Sequence, residues 1–142
     1  MERCFSRDLA ALSQVFAFVD EVTAAEGLDK AAAFPFRLAV EEVFVNMVKH
    51  NPEGTGEIGV DVFRDNGGLA VTLRDPDTGP YDITKHEVSS LAAPVHERKP
   101  GGLGIHLVNR LMDEVTYAHN DREARIRLFK NFPGSHATDR TE

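Results

Sequence analysis

The stretch EEVFVNMVKH, residues 41–50, decides how this 142-residue chain is read. Together with Leu38, the residues Phe44, Met47 and Val48 recur at helical steps and would face a core. Glu42 and Asn46 stand at i and i+4, so their side chains leave the helix from one face, offset from that apolar stripe. Taken alone, such a pair is more often a solvated helix surface than a site. An asparagine inside a helix is a mild cost that needs a reason only if it is buried.

Working outward, this helix is expected from near Pro35 to His50, stopped by Asn51, Pro52, Glu53 and Gly54. Before it, Leu9, Leu12, Phe16 and Val19 predict an amphipathic helix over residues 6 to 25, with Ser6 and Asp8 as candidate caps and Gly27 as its end. After it, Ile58, Val60 and Val62 alternate with polar or small neighbours. Leu69, Val71 and Leu73 repeat the pattern beyond Asp65-Asn66-Gly67-Gly68, which predicts a hairpin. Residues 75–102 show no sustained period and carry Pro76, Pro80, Pro94 and Pro100, as a long functional loop would, with room for a short helix over 88–93. Ile105, Leu107, Val108, Leu111 and Met112 then predict a third helix. Val115 and Tyr117, followed by Ile126, Leu128 and Phe129 across a turn at Asn120-Asp121, predict two closing strands. Helices and an antiparallel-rich sheet that must each bury one face lead to an α+β fold, a two-layer sandwich with helices on one face of a mostly antiparallel sheet.

Composition narrows the function. The length suits one domain, expected over residues 1–132, with 133–142 a frayed polar tail. No apolar run approaches a membrane span, and MERCFSRDLA lacks the pattern of a secretory signal, so no membrane partner and a cytoplasmic location are expected. Cys4 is the only cysteine, which excludes an intrachain disulfide and a thiolate zinc site and leaves it as a small, partly covered side chain. Sixteen Lys and Arg against twenty-three Asp and Glu give a formal charge of −7 with no basic tract, which makes nucleic acid a poor partner. An anion would have to be held locally, by backbone N–H groups, a metal or a few placed cations. The six histidines show no metal-ligand spacing and read as surface or helix residues.

Two further clusters join Glu42 and Asn46. Asp75-Pro76-Asp77-Thr78-Gly79-Pro80-Tyr81-Asp82 follows a strand, where a carboxylate can accept a hydrogen bond from an exocyclic amine and glycine lets backbone approach a flat ring. Turn chemistry accounts for the same residues equally well. Lys99-Pro100-Gly101-Gly102-Leu103-Gly104 leads into the third helix, whose unpaired N–H groups and positive dipole end suit phosphate oxygens. That segment has neither the dinucleotide-fold spacing nor the ending of a P-loop.

In this order, the three clusters resemble the N, G1 and G2 boxes of the GHKL ATPases, whose ATP-binding fold is the Bergerat fold. Within them, EEVFVNMVKH, Gly79-Pro80-Tyr81-Asp82 and GGLGIHLVNRLMDEV are most similar to the anti-sigma-factor serine/threonine kinases of bacterial partner-switching systems, over about residues 9 to 130. The resemblance implies ATP and Mg²⁺ as cofactors, with Asn46 holding Mg²⁺ against the phosphates through its side-chain oxygen and Glu42 as general base. It implies nucleotide contacts from Asp75, Asp77, Gly79, Lys99, Gly101, Gly102, Leu103 and Gly104. The literal D-x-G pattern occurs at Asp77-Thr78-Gly79, yet Asp75 follows the strand directly, and strand position favours Asp75 as the adenine acid. Glu41 should point about 100° away and remain surface.

The resemblance further implies a serine/threonine protein kinase that phosphorylates a small anti-anti-sigma antagonist, can hold a sigma factor, and is a homodimer. An alternative is a nucleotide-loaded binding module that sequesters a sigma factor or another regulator without turnover. Residues 84–99 are expected to form a lid ordered by the outer phosphate through Arg98 or Lys99.

Overall fold

A computed structural model describes residues 1–51, 54–76 and 102–132, with only the backbone given for 102–105. The chain runs β1 (Glu2–Phe5), a 3-10 turn (Leu9–Ala11), α1 (Leu12–Ala25), α2 (Lys30–His50), β2 (Ile58–Asp65), β3 (Gly68–Asp75), α3 (Gly102–Leu111), β4 (Glu114–Asn120) and β5 (Glu123–Asn131). The five strands form one sheet in the order β1-β2-β3-β5-β4, and every neighbouring pair is antiparallel. α2 lies against β3 with α1 and α3 beside it, while α1 also meets β1 and β2, and α3 meets β4. This is the expected α+β sandwich, a helical layer on an antiparallel sheet.

The alternation in the strands builds the core. Ile58, Val60 and Val62 of β2, Leu69, Val71 and Leu73 of β3, and Ile126 and Leu128 of β5 are all buried. They meet Val15, Phe18, Val19 and Val22 of α1 and Phe36, Ala39, Val40, Val43, Phe44 and Met47 of α2. The last inward position of β3 is Asp75, at the same parity as Leu69, Val71 and Leu73, and it is also buried. A carboxylate therefore occupies the place where the apolar stripe ends.

Several boundaries depart from the sequence reading. α2 begins at Lys30, not near Pro35, because the Asp29 carboxylate caps it by accepting from the Ala32 N–H at 2.8 Å. Pro35 sits inside the helix and forfeits only the bond it would have made to Ala31, near the end where few bonds precede it. α1 begins at Leu12 behind the 3-10 turn, which Asp8 caps through Ala10 N–H at 2.9 Å. Leu9 lies in that turn and is exposed, and Phe16 is half-buried beneath the Arg37 guanidinium, 4.4 Å from the ring centroid. Gly27 ends α1 with φ of +95°. β1 was not foreseen: only Phe5 of its four residues is buried, so no period marks it, and its pairing with β2 defines it. Cys4, on this strand, is exposed and not partly covered.

Both hairpins have two-residue turns in the left-handed region that matches strand twist. Asn66 and Gly67 have φ of 46° and 81° between β2 and β3. Between β4 and β5 the turn is Asp121-Arg122, with φ of 51° and 65°, one residue beyond the expected Asn120-Asp121. Phe129 lies on the outer face with Arg127, not in the Ile126 and Leu128 stripe, and its ring covers Gly68. A Cβ on Gly68 would fall 2.6 Å from that ring and 2.6 Å from the Lys130 carbonyl oxygen. Gly68→Ala should therefore lower stability by about 1–3 kcal/mol, the usual cost of overpacking, read from the urea midpoint.

Candidate functional site

The site is built on α2 and the end of β3. Glu42 and Asn46 are both half-buried, one turn apart on the α2 surface that the fold leaves partly open. The Asn46 side-chain N–H group donates to the Glu42 backbone carbonyl at 2.7 Å. This bond turns the amide so that its oxygen is the free end, a hard ligand of the kind Mg²⁺ prefers. No group of three or more His, Cys, Asp or Glu able to hold a metal occurs among the described residues. One amide oxygen fits an ion that keeps several waters and takes its remaining ligands from phosphates.

The Glu42 carboxyl has a pKa above its ordinary value, first because burial penalises the charge and next because the Glu41 carboxylate is near; Lys49 pulls it partly back. A base with such a shift holds a proton more firmly than a surface carboxylate. Glu41 is half-buried and acts on Glu42 through its field.

The raised value has a sign that solution measurement can check. Between the ordinary carboxylate value and the folded value, the native protein binds more protons than the unfolded chain, so the stability linked to Glu42 is present in acid and lost as pH rises through the folded value. Glu42→Gln is accordingly expected to resist urea better than the parent at neutral pH. The difference should close below about pH 4; a gap that persists there would remove burial of charge as its cause.

At the C-terminal end of α2, beyond Asn46, Arg7 joins three elements. Its Nη2 donates to the Asp75 Oδ1 at 2.5 Å, and its Nη1 approaches the carbonyl of Asn51, the residue that caps α2, at 3.5 Å. Both side chains of the Arg7–Asp75 pair are only 5% exposed. Gly54 lies beside the Asn51 side chain and the guanidinium: a Cβ there would overlap the Asn51 Nδ2 and fall 3.1 Å from the Arg7 Cζ. Reading the sequence missed Arg7 entirely, because it falls where a helix start was expected. The only local trace is that Phe5 and Arg7 share a parity running inward from β1.

α3 begins at Gly102, so Gly102, Leu103 and Gly104 form its first turn instead of a loop before it. Their N–H groups belong to the set that lacks intrahelical partners, at the positive end of the dipole. α2, which carries Glu42 and Asn46, packs both on β3, which ends at Asp75, and on α3, which the glycines open. Asp77, Gly79, Arg98, Lys99, Gly101 and the expected lid over 84–99 lie outside the described residues.

No helix among the described residues is long and apolar enough to cross a membrane. Residues 5–130 match the family model described as the histidine kinase-like ATPase domain. The chain is 28% identical over 97 residues to the serine-protein kinase RsbW of Bacillus cereus (strain AH187), and 29% identical over 97 residues to RsbW of Bacillus thuringiensis (strain Al Hakam). Each match covers 60% of this chain and 56% of the relative, so the chain spans little more than half the length of these curated proteins. In structure it is similar to a chain in the SiaB–SiaC complex of Pseudomonas aeruginosa, with a TM-score of 0.65, 13% identity and coverage of 91% and 88% of the two chains. It is also similar to the Acinetobacter baumannii histidine kinase AdeS, with a TM-score of 0.50, 12% identity and coverage of 92% and 67%. At such identities these likenesses speak for the fold. An α+β sandwich with Glu42 and Asn46 on α2, Asp75 at the end of β3 and glycines opening α3, matched from residue 5 to residue 130, makes this chain a member of the histidine kinase-like (GHKL) ATPase domain family, related to the RsbW-type anti-sigma-factor kinases.

Proposed function

We propose that this chain is an ATP-dependent serine/threonine protein kinase that phosphorylates a small anti-anti-sigma antagonist and acts as an anti-sigma regulator. The observation that carries this reading is the pairing on α2 of a carboxyl with a raised pKa, Glu42, and an amide whose nitrogen is tied down, Asn46. That pairing supplies a base and a metal ligand one turn apart, the two groups that transfer to a hydroxyl requires. The relatives of Bacillus, serine-protein kinases by name, support the same chemistry.

In the proposed reaction, adenine lies against Asp75, whose carboxylate accepts from the exocyclic amine, with Asp77 and Gly79 as further nucleotide contacts. The N–H groups of Gly101, Gly102, Leu103 and Gly104 receive the phosphates, with Lys99 beside them. Mg²⁺ held by Asn46 would neutralise charge on the phosphate oxygens. The antagonist's hydroxyl oxygen attacks the γ-phosphorus as its proton passes to the Glu42 carboxylate. The bond between the γ-phosphorus and the β,γ-bridging oxygen breaks, and ADP leaves with that electron pair.

In this scheme the kinase is a homodimer whose partners are the antagonist and a sigma factor, bound alternately. Incubation with γ-labelled ATP, Mg²⁺ and candidate antagonist domains is the test, and label on a serine or threonine of the antagonist is the expected result. Binding of Mg·ATP and of a partner with no transferred label would instead leave a nucleotide-loaded module that sequesters its partner without turnover.

A further inference from the structure

We propose that Arg7 is a specificity residue that reads the base beside Asp75, its Nε–H donating to the purine ring nitrogen N1 while Asp75 accepts from the neighbouring amine. The inference rests on the reading of Asp75 as the adenine acid. It starts from an incomplete set of bonds: the Arg7 Nε is buried and has no hydrogen-bond partner among the described residues. A buried guanidinium donor left unpaired is costly, and native structures rarely keep one without a purpose.

Covalent geometry places that donor. Nε and Nη2 lie along one edge of the planar guanidinium, and Nη2 is the nitrogen that meets the Asp75 Oδ1. The open N–H therefore lies on the edge that Nε shares with Nη2, one nitrogen away from the donor that meets the carboxylate. The residue opposite Asp75 across the strand pair is Ala124, buried, whose methyl offers no hydrogen bond. Among the described residues, Arg7 is the side-chain donor at this acid. A carboxylate oxygen beside an N–H presents an acceptor next to a donor, and adenine's edge presents an amine next to N1, a donor next to an acceptor. The two patterns are complementary in order. Inosine nucleotides, with a carbonyl and a ring N–H in those places, present the reverse.

The test uses the full chain with Mg²⁺ and three ligands in calorimetric titrations: ADP, 1-deaza-ADP, in which N1 is replaced by C–H, and purine riboside diphosphate, which lacks the amine. The parent protein is expected to bind 1-deaza-ADP about tenfold or more weakly than ADP, because the Nε–H is left unpaired. Arg7→Lys keeps a cation opposite Asp75 but removes the guanidinium edge, and in it ADP and 1-deaza-ADP should bind alike. Equal affinity of the parent for ADP and 1-deaza-ADP, with the riboside analogue still weak, overturns the role of Arg7 and leaves Asp75 in place. A riboside analogue that binds as tightly as ADP overturns the Asp75 reading and the Arg7 proposal with it. Retention of the 1-deaza penalty in Arg7→Lys also overturns the proposal, because the penalty would then have another source.

Discussion

Glu42→Gln is expected to lower phosphoryl transfer to the antagonist by about 10²-fold or more, the usual scale for a lost acid or base, with affinity for Mg·ADP kept. Glutamine has nearly the shape of glutamate, and the Asn46 amide is anchored to the Glu42 backbone carbonyl instead of its side chain, so the metal ligand keeps its place. What disappears is the proton acceptor. Single-turnover transfer from labelled ATP reads the rate, and calorimetry with ADP reads the site. Full transfer in the glutamine variant would take Glu42 out of its role, whereas joint loss of transfer and of binding would show damage to the helix. The parent's acid limb should also lie above that of an unperturbed glutamate, since burial and Glu41 both raise its pKa.

The largest effect on stability is expected at the Arg7–Asp75 pair. Both side chains are almost fully covered, so removing one leaves a buried charge without compensation. Arg7→Met or Asp75→Leu alone should each cost about 3–5 kcal/mol. The double variant should recover most of that loss, because apolar groups of similar volume replace a buried ion pair at little net cost. Urea midpoints of the parent, both single variants and the double variant measure the coupling. If the two losses simply add, the charges are not paired in solution and the link between the N-terminal segment, the end of α2 and β3 does not hold.

Where polypeptide chemistry is local, it was legible in the residues. Asn66-Gly67 announced its hairpin because few residues accept positive φ, and the structure has both residues there. Gly27 ended α1 for the same reason. The Ile58, Val60 and Val62 stripe and its partner in Leu69, Val71 and Leu73 required one buried sheet face, and those residues are buried. Glu42 and Asn46 could be placed on one helical face because the i to i+4 relation needs nothing beyond the helix itself.

The misreadings have a common cause. Pro35 reads as a helix start, but the Asp29 cap and the packing of Ala33 and Phe36 extend α2 past a proline whose missing bond is a modest loss. β1 has too few buried residues to show a period, and its strand state comes from pairing with residues 58–61, far along the chain. Phe129 lies in the strand expected for it, and strand parity sends it to the outer face, where Gly68 leaves room for the ring.

By itself, then, the sequence determined the class of fold, the two helical faces and the order of the three nucleotide-type clusters, because periodicity, capping and turn chemistry act over a few residues. Tertiary structure decided what the carboxylate at Asp75 meets. Arg7 and Asp75 are 68 residues apart, and their contact exists only because β1 pairs with β2 and β2 pairs with β3, with the carbonyl that ends α2 accepting from the same guanidinium. The same is true of the protonation behaviour of Glu42, whose largest cause is burial. Burial is a property of packing, and no spacing along the chain expresses it.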